Sequence, residues 1–453
     1  MARSFVIVGA GNFGAATALE LVTQHPMADV ALIDTSPFPN PQAASHDINK
    51  IIRPDYSDPA YTRLMAEAMP LWRASPLYSA FYHETGVLRA DPSHFSDACF
   101  DSYDVVGSKT AATWLSVDEV RRRWNGVFRH ANLDGVDKCY WNPKSGWAEA
   151  DRALEAVIRD AVSRGVRYYS DGVQTLLIGA DGTCRGVRLK SGAEMLADSV
   201  VLSAGARTAL LLAESAPDNR EIQAGDRIVA TGAVSFYATL EGVVRDKFRE
   251  VPVFKSCLKQ AKGESISLAS NGILKFNCDL SFTNMGYHVA SGQLMSIPPE
   301  GIGQGLWNPS NFPQALKDRC KQVLANLYGE MVDGVEIEAY RMCWDATTPS
   351  HDFLIGPHPH CKNLYILTGG SFHGWKFLPI IGKYTVQMLN GTLEESLQKK
   401  WSWTEGCLPW EGHKANPTYQ LEADLKDFAD CLGQEINTRA PHEGLTGAER
   451  AFL

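Results

Sequence analysis

The apolar residues of this chain begin as a short unbroken run, Ser4-Phe5-Val6-Ile7-Val8, and then follow a helical repeat from Ala15 to Val22. An unbroken run of that length suits a strand buried on both faces, as in a parallel sheet. Between the two stands Gly9-Ala10-Gly11-Asn12-Phe13-Gly14, and the next run, Val30 to Ile33, ends at Asp34. Residues 60–85 read as helix, with Tyr61, Leu64, Met65, Met69, Leu71 and Trp72 as apolar positions and Pro70 interrupting them. Short strand-like pieces with turn signals fill 86–145. A clear helix covers 148–164, its apolar face being Ala153, Leu154, Val157, Ile158 and Val162, and Gly165 stops it. A strand over 166–169, a β-meander over 171–192 and a second buried strand over 198–206 follow. From about 225 to 335 the pattern alternates instead, predicting strands over 227–240, 251–254 and 273–276 and then a helix over 313–328.

These elements predict an α/β chain with a Rossmann-type domain assembled from 1–85, 146–225 and 338–400. A mostly antiparallel β domain, 86–145 and 226–337, is inserted into it, and a tail over 401–453 packs on the nucleotide-binding part. The length of 453 residues exceeds one compact core, while 45% hydrophobic and 21% charged residues are ordinary globular values. A net charge of -9, with no basic run longer than Arg121-Arg122-Arg123, argues against nucleic acid or an anionic membrane as partner and favours a small molecule.

No stretch approaches a membrane span, and no secretory signal is expected at the N-terminus. The ten cysteines form no CxxC pair, which predicts a reducing compartment with neither disulfides nor a metal site. The ending Ala451-Phe452-Leu453 has the final leucine of a peroxisomal address without its basic residue, so cytosol and peroxisome both stay open.

The glycine run between strand and helix brings backbone close to a pyrophosphate at the helix's positive end. Asp34, 20 residues beyond Gly14, stands where a ribose diol would donate to it. A glycine turn serves other strand-to-helix junctions too; strand, helix and Asp34 together point to a dinucleotide, either NAD or FAD. Residues 36–53 then run through a proline-bearing loop into a polar segment. Its His46, Lys50 and Arg53 are spaced by 4 and 3, as on one helical face, either a solvated basic face or a ligand-facing one.

Six segments, GAGNFG at 9–14, ASHDINKIIR at 44–53, VVLSAGA at 200–206, ILKF at 273–276, RMCW at 341–344 and GGSFHGWKFLPIIG at 369–382, carry a resemblance. Across residues 4–390 the chain resembles the FAD-dependent amine oxidases that group monomeric sarcosine oxidase with the fungal amadoriases (fructosyl amino acid oxidases) and saccharopine or pipecolate oxidases. The amadoriases are nearest in the 44–53 and 341–344 segments. The resemblance implies the glutathione-reductase-like FAD-binding fold, a monomer, and FAD joined through an 8α-thioether to Cys343. Further cofactor contacts are implied at Gly9, Gly11, Asn12, Phe13, Gly14, Asp34, Ser45, His46, Lys50, Val173, Ala204, Gly205, His373, Gly374 and Lys376.

By the same resemblance, Lys275 supplies the positive charge at which dioxygen accepts electrons. Arg53 and Lys376 clamp a substrate carboxylate, and Asp279 holds the substrate's distal part. Read from pattern alone, Cys343 is an inert buried thiol and Lys275 a solvent-facing strand end. An arginine that amadoriases carry after a tryptophan near the C-terminus is replaced here by Thr404. That departure turns the expected substrate from a fructosyl amino acid to another N-substituted amino acid, N-methylated and with an aromatic variant in view. The imine formed with release of hydrogen peroxide is then either hydrolysed or trapped in a ring closure of alkaloid type.

Overall fold

The computed structural model describes residues 3–260, 262–299, 305–307, 312–404 and 421–431. Strand β1 (Ser4–Val8) is buried from Phe5 onward and lies parallel to both its neighbours, β2 (Asp29–Asp34) and the Ser199–Leu202 strand. With both faces covered, neither strand face needs polar residues, which is why all three read as unbroken apolar runs. The full sheet has six strands in the order Leu354–Pro357, Leu364–Thr368, Ser199–Leu202, β1, β2, Arg167–Ser170; only the first is antiparallel to its neighbour.

Helix α1 (Asn12–Gln24) packs between this sheet and the Ala150–Ser163 and Leu378–Leu389 helices. Two glycines permit that approach. A Cβ on Gly14 would lie 1.9 Å from the carbonyl oxygen of Gly9, and one on Gly382 would lie 2.2 Å from that of Ala16.

Three local expectations are corrected. Pro70 does not interrupt its helix: α2 runs unbroken over Pro59–Ala74, capped by the Asp58 side chain at the Ala60 N–H. Val162 is exposed rather than part of the apolar face of the Ala150–Ser163 helix. His46, Lys50 and Arg53 share no helical face, because Lys50–Ile52 is a strand, β3, paired antiparallel with Gly146–Ala148.

The second large sheet is antiparallel over most of its length. Its order is Gly305–Trp307, Ala339–Thr347, Val229–Thr239, Ile273–Thr283, Gly263–Ile266, Val253–Ser256, Val87–Ala90, Lys138–Asn142, Thr113–Ser116. The strand expected over 273–276 therefore extends to Thr283, and its alternation places Lys275, Asn277 and Asp279 on one face. The Ala339–Thr347 strand, which carries Cys343, is hydrogen-bonded into this sheet, although the sequence grouped 338–400 with the nucleotide-binding segments. In the tail, Trp401 packs against Phe353 beside the six-stranded sheet, whereas Leu421–Asp424 pairs with the Ile273–Thr283 strand. The rest of that expected tail, 405–420 and 432–453, lies outside the described residues.

Among the described residues no helix is long and apolar enough to cross a membrane, eight cysteines are free, and no group of side chains has a metal-binding arrangement.

The substitution Gly14→Ala pushes α1 off β1, because its new methyl meets backbone rather than a movable side chain. A loss of about 1–3 kcal/mol is expected from such overpacking, read as a lower midpoint in denaturant unfolding with an unchanged slope.

Candidate active site

A cavity of about 820 Å³ runs from the glycine turn of β1 to the face of the antiparallel sheet. At one end, Gly9 takes φ of +101°, and a Cβ there would lie 2.2 Å from the carbonyl oxygen of Ser203. Gly11 is the N-cap of α1 without a side-chain cap of its own, and the first turn holds no acidic residue. The hydroxyl of Ser45 accepts the Asn12 N–H at 2.8 Å, and a Cβ on Gly11 would lie 3.0 Å from that same oxygen. Asp34 closes β2, accepting the Ala10 N–H at 2.7 Å, the Thr35 N–H at 2.7 Å and the Asn40 amide at 2.5 Å. A side-chain-free cradle at a positive helix end, with a carboxylate on the next strand, fits the pyrophosphate and ribose of a dinucleotide.

The middle of the cavity is organised by Asp47. This buried carboxylate accepts from the Lys275 ammonium at 2.6 Å and the Tyr237 hydroxyl at 3.2 Å, and lies 3.4 Å from Arg341 and 3.5 Å from Lys50. Burial opposes its charge, but Lys275, Lys50 and Arg341 outweigh burial and hold Asp47 well below the usual carboxylate range. Burial lowers the affinity of Lys275 for its proton, and Asp47 counters that loss. The Asn49 carbonyl takes a second Lys275 N–H at 3.1 Å. Cys343 follows Arg341 at i+2 on the Ala339–Thr347 strand, so both point to one face, and Cys343 lines the cavity with Ala233 and Asp345. Asp345 accepts the Phe372 N–H at 2.7 Å and the Ala346 N–H at 2.8 Å, and burial raises its pKa.

At the far end Arg53 and Lys376 enter from opposite segments. Arg53 donates to the Asp55 carbonyl and lies over the rings of Tyr56 and Phe95, 5.0 and 5.7 Å from their centroids. The buried Lys376 ammonium donates to the Tyr56 hydroxyl and the His373 carbonyl, each at 3.0 Å. Burial, then the Arg53 guanidinium, push Lys376 well below the lysine range. Asp55 ties this end together by accepting from Tyr103, Tyr140, Asn142 and Ser145.

Beyond it, Lys255 bridges Glu264 and Asp279 at 2.9 Å each. Burial works against both carboxylates. Lys255 and the Asn277 amide hold Glu264 down to about 2, whereas the neighbouring Glu264 charge adds to burial in pushing Asp279 up to about 6.

All the cofactor-binding and catalytic residues expected from the sequence line this cavity except Gly14, which sits in the helix–strand contact, and His46. The sequence reading missed Asp47, Tyr56, Arg341 and Asp345. Asp47 and Arg341 both lie inside quoted segments, and an acidic residue among His46, Lys50 and Arg53 was a usable signal. Thr404 is exposed and shares a hydrogen bond with Ser402.

Comparison with known proteins bears on this geometry. The chain matches the FAD dependent oxidoreductase (DAO) family over residues 4–388. It belongs to that family. An L-saccharopine oxidase of Schizosaccharomyces pombe is 26% identical over 427 residues, covering 89% of this chain and 94% of that protein. A monomeric sarcosine oxidase of a Bacillus species is 23% identical over 398 residues, covering 86% and 93%. A modified fructosyl peptide oxidase of Aspergillus nidulans superposes with a TM-score of 0.80 at 25% identity, over 94% of this chain and 98% of that one. The motif resemblance to sarcosine oxidases and amadoriases, the mixed α/β architecture and the class of flavin-dependent oxidoreductase acting on amines therefore stand. The residues of this FAD oxidoreductase fit the cofactor: the glycine cradle and Asp34 suit the nucleotide, and the face carrying Cys343 and Lys275 suits a flavin ring.

Because the folded pKa of Asp279 is raised, the folded state holds a proton that the unfolded chain releases between about pH 4 and pH 6. The contribution of this group to stability therefore falls as pH rises through that window. Asp279→Asn removes the effect: it should be more stable than wild type above pH 6, with the gap closing toward pH 4, as measured by denaturant unfolding across pH.

Proposed function

We propose that this chain oxidises the secondary amine of an N-substituted α-amino acid, N-methyl amino acids among them, to an imine, with dioxygen as acceptor and hydrogen peroxide as product. The observation that carries the reading is the convergence of Arg53, Lys376, Lys275 and Cys343 on one cavity that also holds the glycine turn. FAD, when bound, supplies the redox chemistry, taking a hydride equivalent from the carbon beside nitrogen and delivering electrons to dioxygen.

The chain's own residues do the rest. Arg53 keeps one edge of its guanidinium anchored on the Asp55 carbonyl and offers the other to the substrate carboxylate, whose paired oxygens match a planar fork. Lys376 reinforces that contact. An incoming carboxylate offsets the burial and the Arg53 repulsion that depress its pKa, so binding favours the charged form of Lys376.

Lys275 keeps its charge in a dry setting through Asp47 and gives developing negative charge on oxygen a fixed cation. Cys343 supplies the sulfur for covalent attachment of the cofactor. The same reading has the protein act as a monomer in the cytosol or peroxisome. Fructosyl amino acids are the competing substrate class, and Thr404 leaves them without the arginine expected at that position.

Acid-denatured protein should keep yellow, fluorescent material on the polypeptide, and Cys343→Ser should release it. Under anaerobic conditions N-methyl amino acids should bleach the visible spectrum faster than fructosyl-glycine or fructosyl-valine; the reverse order overturns the substrate assignment. In Lys275→Met, bleaching should persist while reoxidation by dioxygen slows by about 100-fold or more, the usual scale for removing one preorganised charge.

A further inference from the structure

The antiparallel sheet presents a row of polar side chains to the cavity, set by register rather than by sequence proximity. Tyr140 pairs with Arg89, Arg89 with Lys255, Lys255 with Glu264, Glu264 with Asn277, and Asn277 with Ser235. Most of the row satisfies itself. Ser235 donates to Asn277 at 2.6 Å, Asn277 to Glu264 at 2.6 Å, Lys255 to Glu264 and Asp279, and Tyr140 to Asp55.

Arg89 is the exception. It is 5% exposed and lines the cavity. Its Nε and Nη2 both converge on a single oxygen, Oδ2 of Asp91, at 2.7 and 2.6 Å. That pinched approach leaves the buried Nη2 without a hydrogen bond of proper geometry. Asp91 is held from behind by the Ser93 N–H at 2.8 Å and does not reach the cavity wall. One carboxylate thus fixes the plane of the fork by one edge, and Phe95 covers a face at 4.2 Å from its centroid. The remaining edge ends in Nη2, whose hydrogen-bonding capacity is left unmet inside a residue that lines the cavity, a costly state for a guanidinium without a ligand.

We propose that Arg89 receives a second carboxylate of the substrate, carried on its side chain or its N-substituent. The substrate class then narrows to N-substituted amino acids with two acidic groups. The proposal rests on the oxidase reading for the reaction, and on the surroundings of Arg89 for the acid. Arg53 lies against the same Phe95 ring, so a ligand bridging the two forks need span little more than one aromatic ring. Lys255, next to Arg89, is already bridging two carboxylates and is no substitute for it. The glycine turn, where a cofactor's phosphates fit, belongs to the other sheet.

The test uses holoenzyme and matched pairs: N-methyl-L-glutamate against N-methyl-L-glutamine, and iminodiacetate against sarcosine. The diacid of each pair should show kcat/KM higher by about 10- to 100-fold, mostly through KM, the scale of one charge-assisted ion contact. Arg89→Gln should bring that ratio to about 1, and Arg89→Lys should restore part of it. A ratio near 1 in the wild type, or an Arg89→Gln variant that lowers both members of a pair alike, would make Arg89 a structural partner of Asp91 and overturn the proposal.

Calorimetric binding of thiodiacetate against methylthioacetate needs no turnover and separates the two readings. If no secondary amine is oxidised while thiodiacetate still binds more tightly by about tenfold in an Arg89-dependent manner, the reaction assignment fails and the second-acid site stands. Oxidation of secondary amines with neither kinetic nor binding preference for the diacid leaves the reaction assignment and removes the site.

Discussion

One buried carboxylate joins the two halves of this protein. Asp47 stands on the segment after the dinucleotide-binding strand β2, yet its partners Lys275 and Arg341 stand on two strands of the antiparallel sheet. An ion this deep is expensive to desolvate, and only convergent cations with hydrogen bonds to the remaining groups make it tolerable. The constraint works both ways. It fixes the loop that lines the cofactor cradle, where Ser45 meets the start of α1, and it favours the charged form of Lys275 against burial. Removing Asp47 leaves the buried Lys275 without its counter-ion, typically a cost of about 3–5 kcal/mol.

Around that junction the division of labour follows from the two sheet types. The parallel sheet needs short glycine turns to feed its helices, and its contribution to the cavity is backbone: N–H groups, a positive φ at Gly9 and the absence of side chains. The antiparallel sheet contributes side chains, because alternation on long strands such as Ile273–Thr283 and Ala339–Thr347 delivers a polar residue at every second position to one face. Backbone suits the phosphates and adenosine part of a dinucleotide, which carry no specificity for an amine. Side chains suit the reacting end, where charge and shape select the substrate.

What the sequence made legible was local. The unbroken strands, the glycine turn and Asp34 lie within thirty-four residues and follow from burial and backbone freedom alone. The helical face imagined for His46, Lys50 and Arg53 failed because pairing with Gly146–Ala148, a hundred residues on, holds Lys50–Ile52 extended. Pattern alone gives Lys275 as a solvent-facing strand end; its counter-ion lies 228 residues away in sequence, beyond any window in which periodicity operates. Family resemblance, not periodicity, points to Lys275, Cys343, Arg53 and Lys376. Asp47 and Arg341, inside the same segments, carry no mark in the sequence because their importance is a tertiary contact. Arg89 left no trace in the pattern, since an arginine between apolar residues looks like any strand position.

In the proposed reaction Asp47 sets the charge of Lys275, and this charge governs the encounter with dioxygen. Lys50 and Arg341 face the same carboxylate and lower the Lys275 pKa, so Asp47 is the group holding it up. The decisive measurement is the pH dependence of reoxidation of substrate-reduced enzyme by dioxygen, compared between wild type and Asp47→Asn. The rate should fall as pH rises through the Lys275 pKa, and the midpoint should move to lower pH in Asp47→Asn while the low-pH plateau stays close to wild type. An unchanged midpoint, or a rate indifferent to pH in both proteins, would contradict it.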